Sequence, residues 1–273
     1  MSMADLTGLA EARGIRDFGV TDHLHTPYNL PDLAASREAF VAVNPSPRFH
    51  FGVEVSCVSQ WELEEIAVGK HDNPVYGLRQ GGPAGGALAI GVTERDLRTY
   101  GVEYVIGGAH WPMYVPLERE AIIRDYHRQN MFLATHPLVT IVAHPWWWMG
   151  HWQGADGTYT AEPWFDRFSA IPSSMHEEFA AAVIEKGKVV EINIGAMLLN
   201  PGYPEHFKRA YLEYLGALRS RGVMLAVGSD CHDARYAIDF ERAAEMLDSV
   251  GIRDEDLWQR PPRSPFDAGA RDA

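Results

Sequence analysis

Six residues combine a metal-ligating side chain with a position inside, or at the end of, a short apolar run: His23, Glu54, His110, His144, Asp230 and His232. The runs read Gly-Val-Thr-Asp-His up to His23, Phe-Gly-Val-Glu up to Glu54, Ile-Gly-Gly-Ala-His up to His110, Val-Ala-His-Pro around His144, and Gly-Ser-Asp-Cys-His up to His232. Neutral imidazoles and carboxylates suit Zn, Mn or Fe, and a carboxylate such as Glu54 can bridge two ions through its two oxygens. Two ions roughly 3.5–4 Å apart can hold a hydroxide nucleophile and neutralise the charge growing on a phosphoryl group. A lone histidine at a strand end is more often a hydrogen-bonded structural residue, and Glu54 alone could be a salt-bridged carboxylate. Six such residues in one arrangement argue for a metal site instead. In the last motif, extended-chain alternation puts Asp230 and His232 on one side and turns Cys231 into packing. The other histidines, among them His50, His71, His127, His136, His176 and His206, are read as structural residues of loops or helices.

Chemistry at those positions needs elements that bring them to one rim. Short Val- and Ile-rich stretches alternate with helical patterns, the signature of βα units around a parallel sheet. Strands are predicted over residues 18–22, 49–55, 104–109, 139–143, 189–194 and 224–229, and helices over 4–13, 118–130, 174–186, 205–221 and 240–250. Continuous rather than alternating hydrophobicity indicates that both faces of the strands are covered. Gly14, Gly187, Gly222 and Gly251 read as helix stops. Five of the six strands deliver a histidine or carboxylate to their carboxyl ends, the rim on which parallel α/β folds build active sites. Residues 69–91 hold seven glycines and two prolines, which raises the entropy cost of ordering them and predicts a surface loop. The tail, 260–273, has three prolines and few apolar residues. It is predicted to be disordered or loosely attached, leaving one domain over 1–259.

A formal net charge of −13, with four lysines and none clustered, argues against a nucleic-acid partner. Phosphate chemistry stays open, because metal cations can stand between acidic groups and a phosphorylated substrate. Cys57 and Cys231 lie far apart with no apolar leader before them, so the expected setting is a reducing cytoplasm without disulfides. The longest apolar runs are too short to span a bilayer, and no membrane partner is expected. The residue order does not specify an oligomeric state.

The motifs Thr21-Asp22-His23, Gly52-Val53-Glu54, the 105–110 segment, Ala143-His144-Pro145 and Gly228-Ser229-Asp230-Cys231-His232 are each weak alone. In this order and spacing the chain resembles the PHP family, named for polymerase and histidinol phosphatase domains, over nearly its whole length. The resemblance implies an α/β fold, a distorted (β/α)7 TIM-like barrel with up to three metals, and commonly phosphomonoesterase or phosphodiesterase activity. It also implies that Glu54, His110 and His144 match ligands of one metal, that Glu54 bridges to a second using Asp230, and that His23 and His232 match ligands of a third. Members of the family open with a strand ending His-x-His. Here no strand precedes the helix near Ser2, so the expectation is a chain that begins inside a longer gene product and lacks its first strand. His25, two residues past His23, is read as a rim residue or substrate contact rather than a substitute ligand.

The expected activity is hydrolysis of a small phosphorylated molecule by a metal-bound hydroxide, with Asp230 and His232 as catalytic residues and either His232 or a metal-bound water able to protonate the leaving group. Arg119 and Arg235, just beyond the third and last motifs, could clamp phosphate. Five of the eight tryptophans, Trp146, Trp147, Trp148, Trp152 and Trp164, follow His144. They could cap a substrate, with Trp146 placed nearest, or pack the loop down. The alternatives are a binding domain that has lost catalysis, and C–N or C–O hydrolysis on a related metal barrel.

Overall fold

In the computed structural model, which describes residues 2–15, 17–70, 76–147, 167–232 and 237–260, strand β1 (Phe18–Leu24) runs parallel to β2 (Phe49–Ser59). Their register runs from Phe18↔Phe49 to Leu24↔Val55. Both strands belong to the first of two compact units, residues 1–107 with 259–273; the second is 108–258. The first unit begins with α1 (Met3–Ala12), whose Ser2 side chain accepts the Asp5 N–H while the Asp5 carboxylate accepts the Ser2 N–H, satisfying two of the donors a helix start leaves open. A 3-10 turn at Pro27–Asn29 leads into α2 (Leu30–Ala42). The serine that ends β2, Ser59, caps α3 (Gln60–Ala67). Strand β3 (Leu88–Ile90), α4 (Glu94–Thr99) and β4 (Tyr104–Gly108) follow, and β4 flanks β2 on the side away from β1.

The core of this unit is aromatic. Phe49 meets Phe18 at 4.3 Å and Phe40 at 4.8 Å between ring centroids, and Phe40 meets Phe51 at 5.2 Å. Each fully buried ring stabilises the fold by about 1.5–3 kcal/mol. Tyr104 explains two glycines inside strands. A Cβ at Gly19 would lie 2.1 Å from its hydroxyl, and one at Gly52 2.5 Å from its ring, while the hydroxyl donates to the Val20 carbonyl at 3.4 Å. Gly52→Ala is therefore expected to destabilise the chain by about 1–3 kcal/mol through overpacking. Thermal unfolding would register this as a fall of several degrees, and an unchanged melting temperature would show that Tyr104 can move aside.

In the second unit β5 (Ile141–Val142), β6 (Val189–Asn193) and β7 (Met224–Gly228) run parallel in the order β5-β6-β7. Four helices belong to it: α5 (Arg119–Thr135), α6 (Ser173–Glu185), α7 (Glu205–Ser220) and α8 (Phe240–Asp248). Helix α7 buries Phe207, Tyr211, Tyr214, Leu215 and Leu218, a spacing of three and four that forms one apolar stripe. Among the described residues no helix is long and apolar enough to cross a membrane.

All six predicted strands are present, with different ends. Strand β2 runs four residues past the predicted Val55, and its last three pair antiparallel with β3, Cys57↔Ile90 to Ser59↔Leu88. Residues 69–91 were expected to be loop throughout. Within them the apolar triplet Leu88-Ala89-Ile90 is held as a strand because a distant strand end supplies its hydrogen bonds. The helices α2, α3 and α4 were not predicted; the last two are only 8 and 6 residues long, too short for a periodic pattern to identify. His50, expected in a loop or helix, lies buried in β2, and its Nδ1 donates to Glu103 at 2.9 Å. Of the tail, only Arg260 is described, its Nε 3.9 Å from the same Glu103 carboxylate.

Candidate metal centre

The parallel register of β1 and β2 makes His23 and Glu54 direct neighbours, and His23 Nδ1 lies 3.9 Å from Glu54 Oε2. Of the eleven residues in β2, Glu54 is the one not fully buried, so the strand opens at its carboxylate. Alternation puts Ser56 on the same face of β2 as Glu54, and His25 follows directly after the end of β1. His25 stacks on His23 at 5.3 Å with 13° between the rings, and its Nδ1 is hydrogen bonded to the Ser56 hydroxyl. His25, expected at the rim, is only 6% exposed, and its main-chain N–H donates to Asn29 at 3.0 Å. Asp22, between Thr21 and His23 in the first motif, accepts a hydrogen bond from Ser36, and burial raises its carboxyl above the ordinary range.

The second unit carries the remaining ligand-type residues. The imidazoles of His110 and His144 meet edge to face at 5.2 Å, both folded over Gly108. A Cβ there would lie 2.7 Å from one ring and 3.0 Å from the other. The loop after His110 is tied to α5 by Asp125, which accepts the Met113 N–H at 2.7 Å and the Gln129 amide at 2.7 Å. Gln129 also donates to the Trp111 carbonyl at 2.9 Å. His144 leaves β5 with φ +25°, and Asp230 leaves β7 with φ +49°. Strand β7 stops at Gly228, so alternation does not carry on to Asp230 and His232 as expected. They are brought together locally instead, His232 Nδ1 lying 3.0 Å from the Asp230 carbonyl and 3.5 Å from its carboxylate. A carbonyl can only accept, so Nδ1 is the donor of that bond.

Strand β6 was the one predicted strand without an assigned functional residue, and two of its side chains hydrogen bond to predicted site residues. Glu191, 6% exposed, accepts the His144 N–H at 2.8 Å, and Asn193 donates to Glu191 at 3.2 Å and to Asp230 at 3.1 Å. The signal was available: a carboxylate inside the apolar run Val-Val-Glu-Ile-Asn-Ile repeats what singled out Glu54. Of the tryptophans, Trp147 rather than Trp146 faces the paired imidazoles, at 6.0 Å from His110 and 5.2 Å from His144. Trp146, 3% exposed with φ +68°, turns inward to lie parallel to His127 at 6.3 Å and edge-on to His176 at 5.7 Å. Arg119 is exposed at the first turn of α5. Arg235, His71, Trp148, Trp152 and Trp164 lie outside the described residues.

His176 sits in an aromatic slot, 5.2 Å from Phe168 and 4.7 Å from Tyr214. Burial, with repulsion from His127 and Arg221, pushes its imidazole from the ordinary 6.5 down to about 4. The unfolded chain therefore takes up this proton first as pH falls. The stability involved is fully present above 6.5 and drains away as pH falls towards about 4. In urea unfolding, His176→Phe should flatten the stability loss across that window; an acid limb identical to wild type would contradict the assignment.

No family model matches the chain. A relative named a probable phosphatase, from Shewanella frigidimarina (strain NCIMB 400), is 24% identical over 266 residues, which cover 95% of this chain and 83% of the relative. Among solved structures, the histidinol phosphate phosphatase of Lactococcus lactis subsp. lactis Il1403, complexed with zinc, L-histidinol and phosphate, matches with a TM-score of 0.57 at 16% identity. The match covers 92% of this chain and 88% of that one. At that identity the likeness is one of fold, and it covers both units.

Proposed function

We propose that the chain is a metal-dependent phosphoesterase of the PHP type, acting on a small phosphorylated molecule. The observation that carries this reading is the pairing of His23 with Glu54, donor atoms 3.9 Å apart on adjacent parallel strands. Two donors bonded to one ion at about 2.1 Å stand roughly 3–4 Å apart. The crossed imidazoles of His110 and His144 and the Asp230–His232 pair have the same nitrogen and oxygen chemistry, so the donor set fits Zn, Mn or Fe. The phosphatase name of the Shewanella relative, and the zinc and phosphate bound by the Lactococcus enzyme, support the same reading.

In this proposal His23, Glu54, His110, His144, Asp230 and His232 are the ligands. A divalent cation held by such ligands would supply positive charge for phosphoryl oxygens and lower the pKa of water. The rest falls to the chain's own groups. Asp230 fixes the tautomer of His232 by accepting from Nδ1, which leaves Nε2 either as its metal donor or, where His232 is not a ligand, as the atom that exchanges a proton with the leaving-group oxygen. Trp147 walls the imidazole pair with an apolar surface that limits water. Arg119 and Arg235 remain the proposed phosphate contacts.

The test is chelation followed by reconstitution with Zn, Mn or Fe, assayed on p-nitrophenyl phosphate and its diester. Activity should vanish on chelation and return with metal. Fewer than about one metal per chain together with no hydrolysis would identify a binding domain instead. Turnover of a lactone or amide but neither phosphoester would point to C–O or C–N hydrolysis.

A further inference from the structure

The geometry points to Glu191 and Asn193 as positioning residues, a buried carboxylate–amide relay on the central strand β6 that aligns His144 from β5 and Asp230 from β7; the inference rests on the proposed metal reading. Strand β6 lies between the other two, so one side chain from it can reach both neighbours. Glu191 Oε2 accepts the main-chain N–H of His144 at 2.8 Å and the Asn193 side-chain amide at 3.2 Å. The first bond holds the main chain where His144 turns out of β5 with φ +25°, a conformation that L residues seldom adopt and that the surroundings must maintain.

Asn193 leaves no ambiguity about its amide orientation. Its Oδ1 accepts the Ala196 N–H at 2.7 Å, capping the π-helical turn Ile194–Leu198, so its nitrogen must face the carboxylates. That nitrogen has two hydrogens, and two acceptors meet them, Glu191 Oε2 at 3.2 Å and Asp230 Oδ2 at 3.1 Å. A neutral donor between two carboxylates keeps them apart and fixes how Asp230 presents its other oxygen. An independent mark of the relay lies across the sheet. Gly228 is the Cα partner of Asn193, and a Cβ on Gly228 would lie 2.0 Å from Glu191 Oε1. The glycine that opens the Gly-Ser-Asp-Cys-His motif thus makes room for the Glu191 carboxylate.

The relay predicts a graded series in the full-length chain. Glu191→Gln keeps an oxygen able to accept both hydrogen bonds; Glu191→Leu and Asn193→Leu keep bulk but break the relay. Cobalt(II) binding, followed through its visible d–d absorption, reads ligand geometry directly. Amide hydrogen exchange at His144, read by NMR, reports the relay itself whether or not metal binds. Glu191→Leu and Asn193→Leu should weaken cobalt affinity by about 10- to 100-fold and alter the d–d bands, the range expected when a group supporting a metal ligand is removed. Glu191→Gln should stay within a few-fold of wild type, and His144 exchange should accelerate in Glu191→Leu but not in Glu191→Gln. If either leucine variant fails to fold, the other and the glutamine variant still decide. Wild-type cobalt affinity and spectra in a folded leucine variant would overturn the relay while leaving the metal reading standing. Rapid exchange of His144 in the wild-type chain would overturn it too. A wild-type chain that binds no cobalt yet protects His144 would overturn the metal reading, and the aligning role with it.

Discussion

Glu54→Gln should reduce kcat/KM on p-nitrophenyl phosphate by on the order of 10³-fold, with little change in fold, since a metal's charge stabilisation of a phosphoryl group is worth several kcal/mol and each 1.36 kcal/mol is tenfold in rate. The glutamine is nearly isosteric and stays opposite His23 in the same register, so β2 keeps its ladder. What is lost is a negative charge and an anionic oxygen beside His23, which would weaken the hold on a cation. Parallel measurement of metal content and melting temperature separates this from unfolding. The expected outcome is a folded chain with reduced metal content and residual activity near background. A folded variant with full activity would remove Glu54 from the metal site and with it the observation on which the proposed function rests.

A second large effect is expected at Gly228. Gly228→Ala introduces a methyl group 2.0 Å from Glu191 Oε1. A flexible exposed carboxylate would swing away cheaply. Glu191 is 6% exposed and tied at its other oxygen to His144 and Asn193, so relief must come from backbone movement in β7 or from breaking those bonds. Overpacking costs about 1–3 kcal/mol, and each charge-assisted hydrogen bond lost adds about 1.5–3 kcal/mol. Thermal and urea unfolding should show a clear loss of stability, accompanied, on the proposed reading, by weaker metal binding, because Asp230 follows two residues after the end of β7. Pairing the change with Glu191→Gln tests the contact itself, since two residues that touch should depart from additivity. Additive effects would mean that the alanine is accommodated elsewhere.

Much of the fold could be read from residue order. The strands showed themselves as short Val-, Ile- and Phe-rich runs, most plainly β2 and β6, which are buried almost throughout; β1 and β7 are more exposed than continuous hydrophobicity predicts. Glu54 stood out as a charge in a strand where burial would be costly unless it had something to bind. Glu191 gave that signal equally, between Val190 and Ile192, but the strand ended without an imidazole and the carboxylate's role depends on who stands beside it. Strand β3 and the short helices α3 and α4 were not legible. Their local preference is slight, and β3 exists because the distant end of β2 pairs with it.

The chemistry of the site was likewise written in residue types, and its arrangement was not. His144 and Asp230 sit at φ +25° and +49°, and the hydrogen bonds that hold them come from a neighbouring strand. Trp146 and Trp147 are identical and adjacent, and no spacing rule could tell which faces His110 and His144. The left-handed backbone at Trp146, φ +68°, sends one ring into the slot beside His127 and His176 and the other against the imidazoles. Ligand identity is a property of the side chain and survives in a string of letters. Ligand geometry is set by contacts between strands far apart in that string, and only folding brings those contacts about.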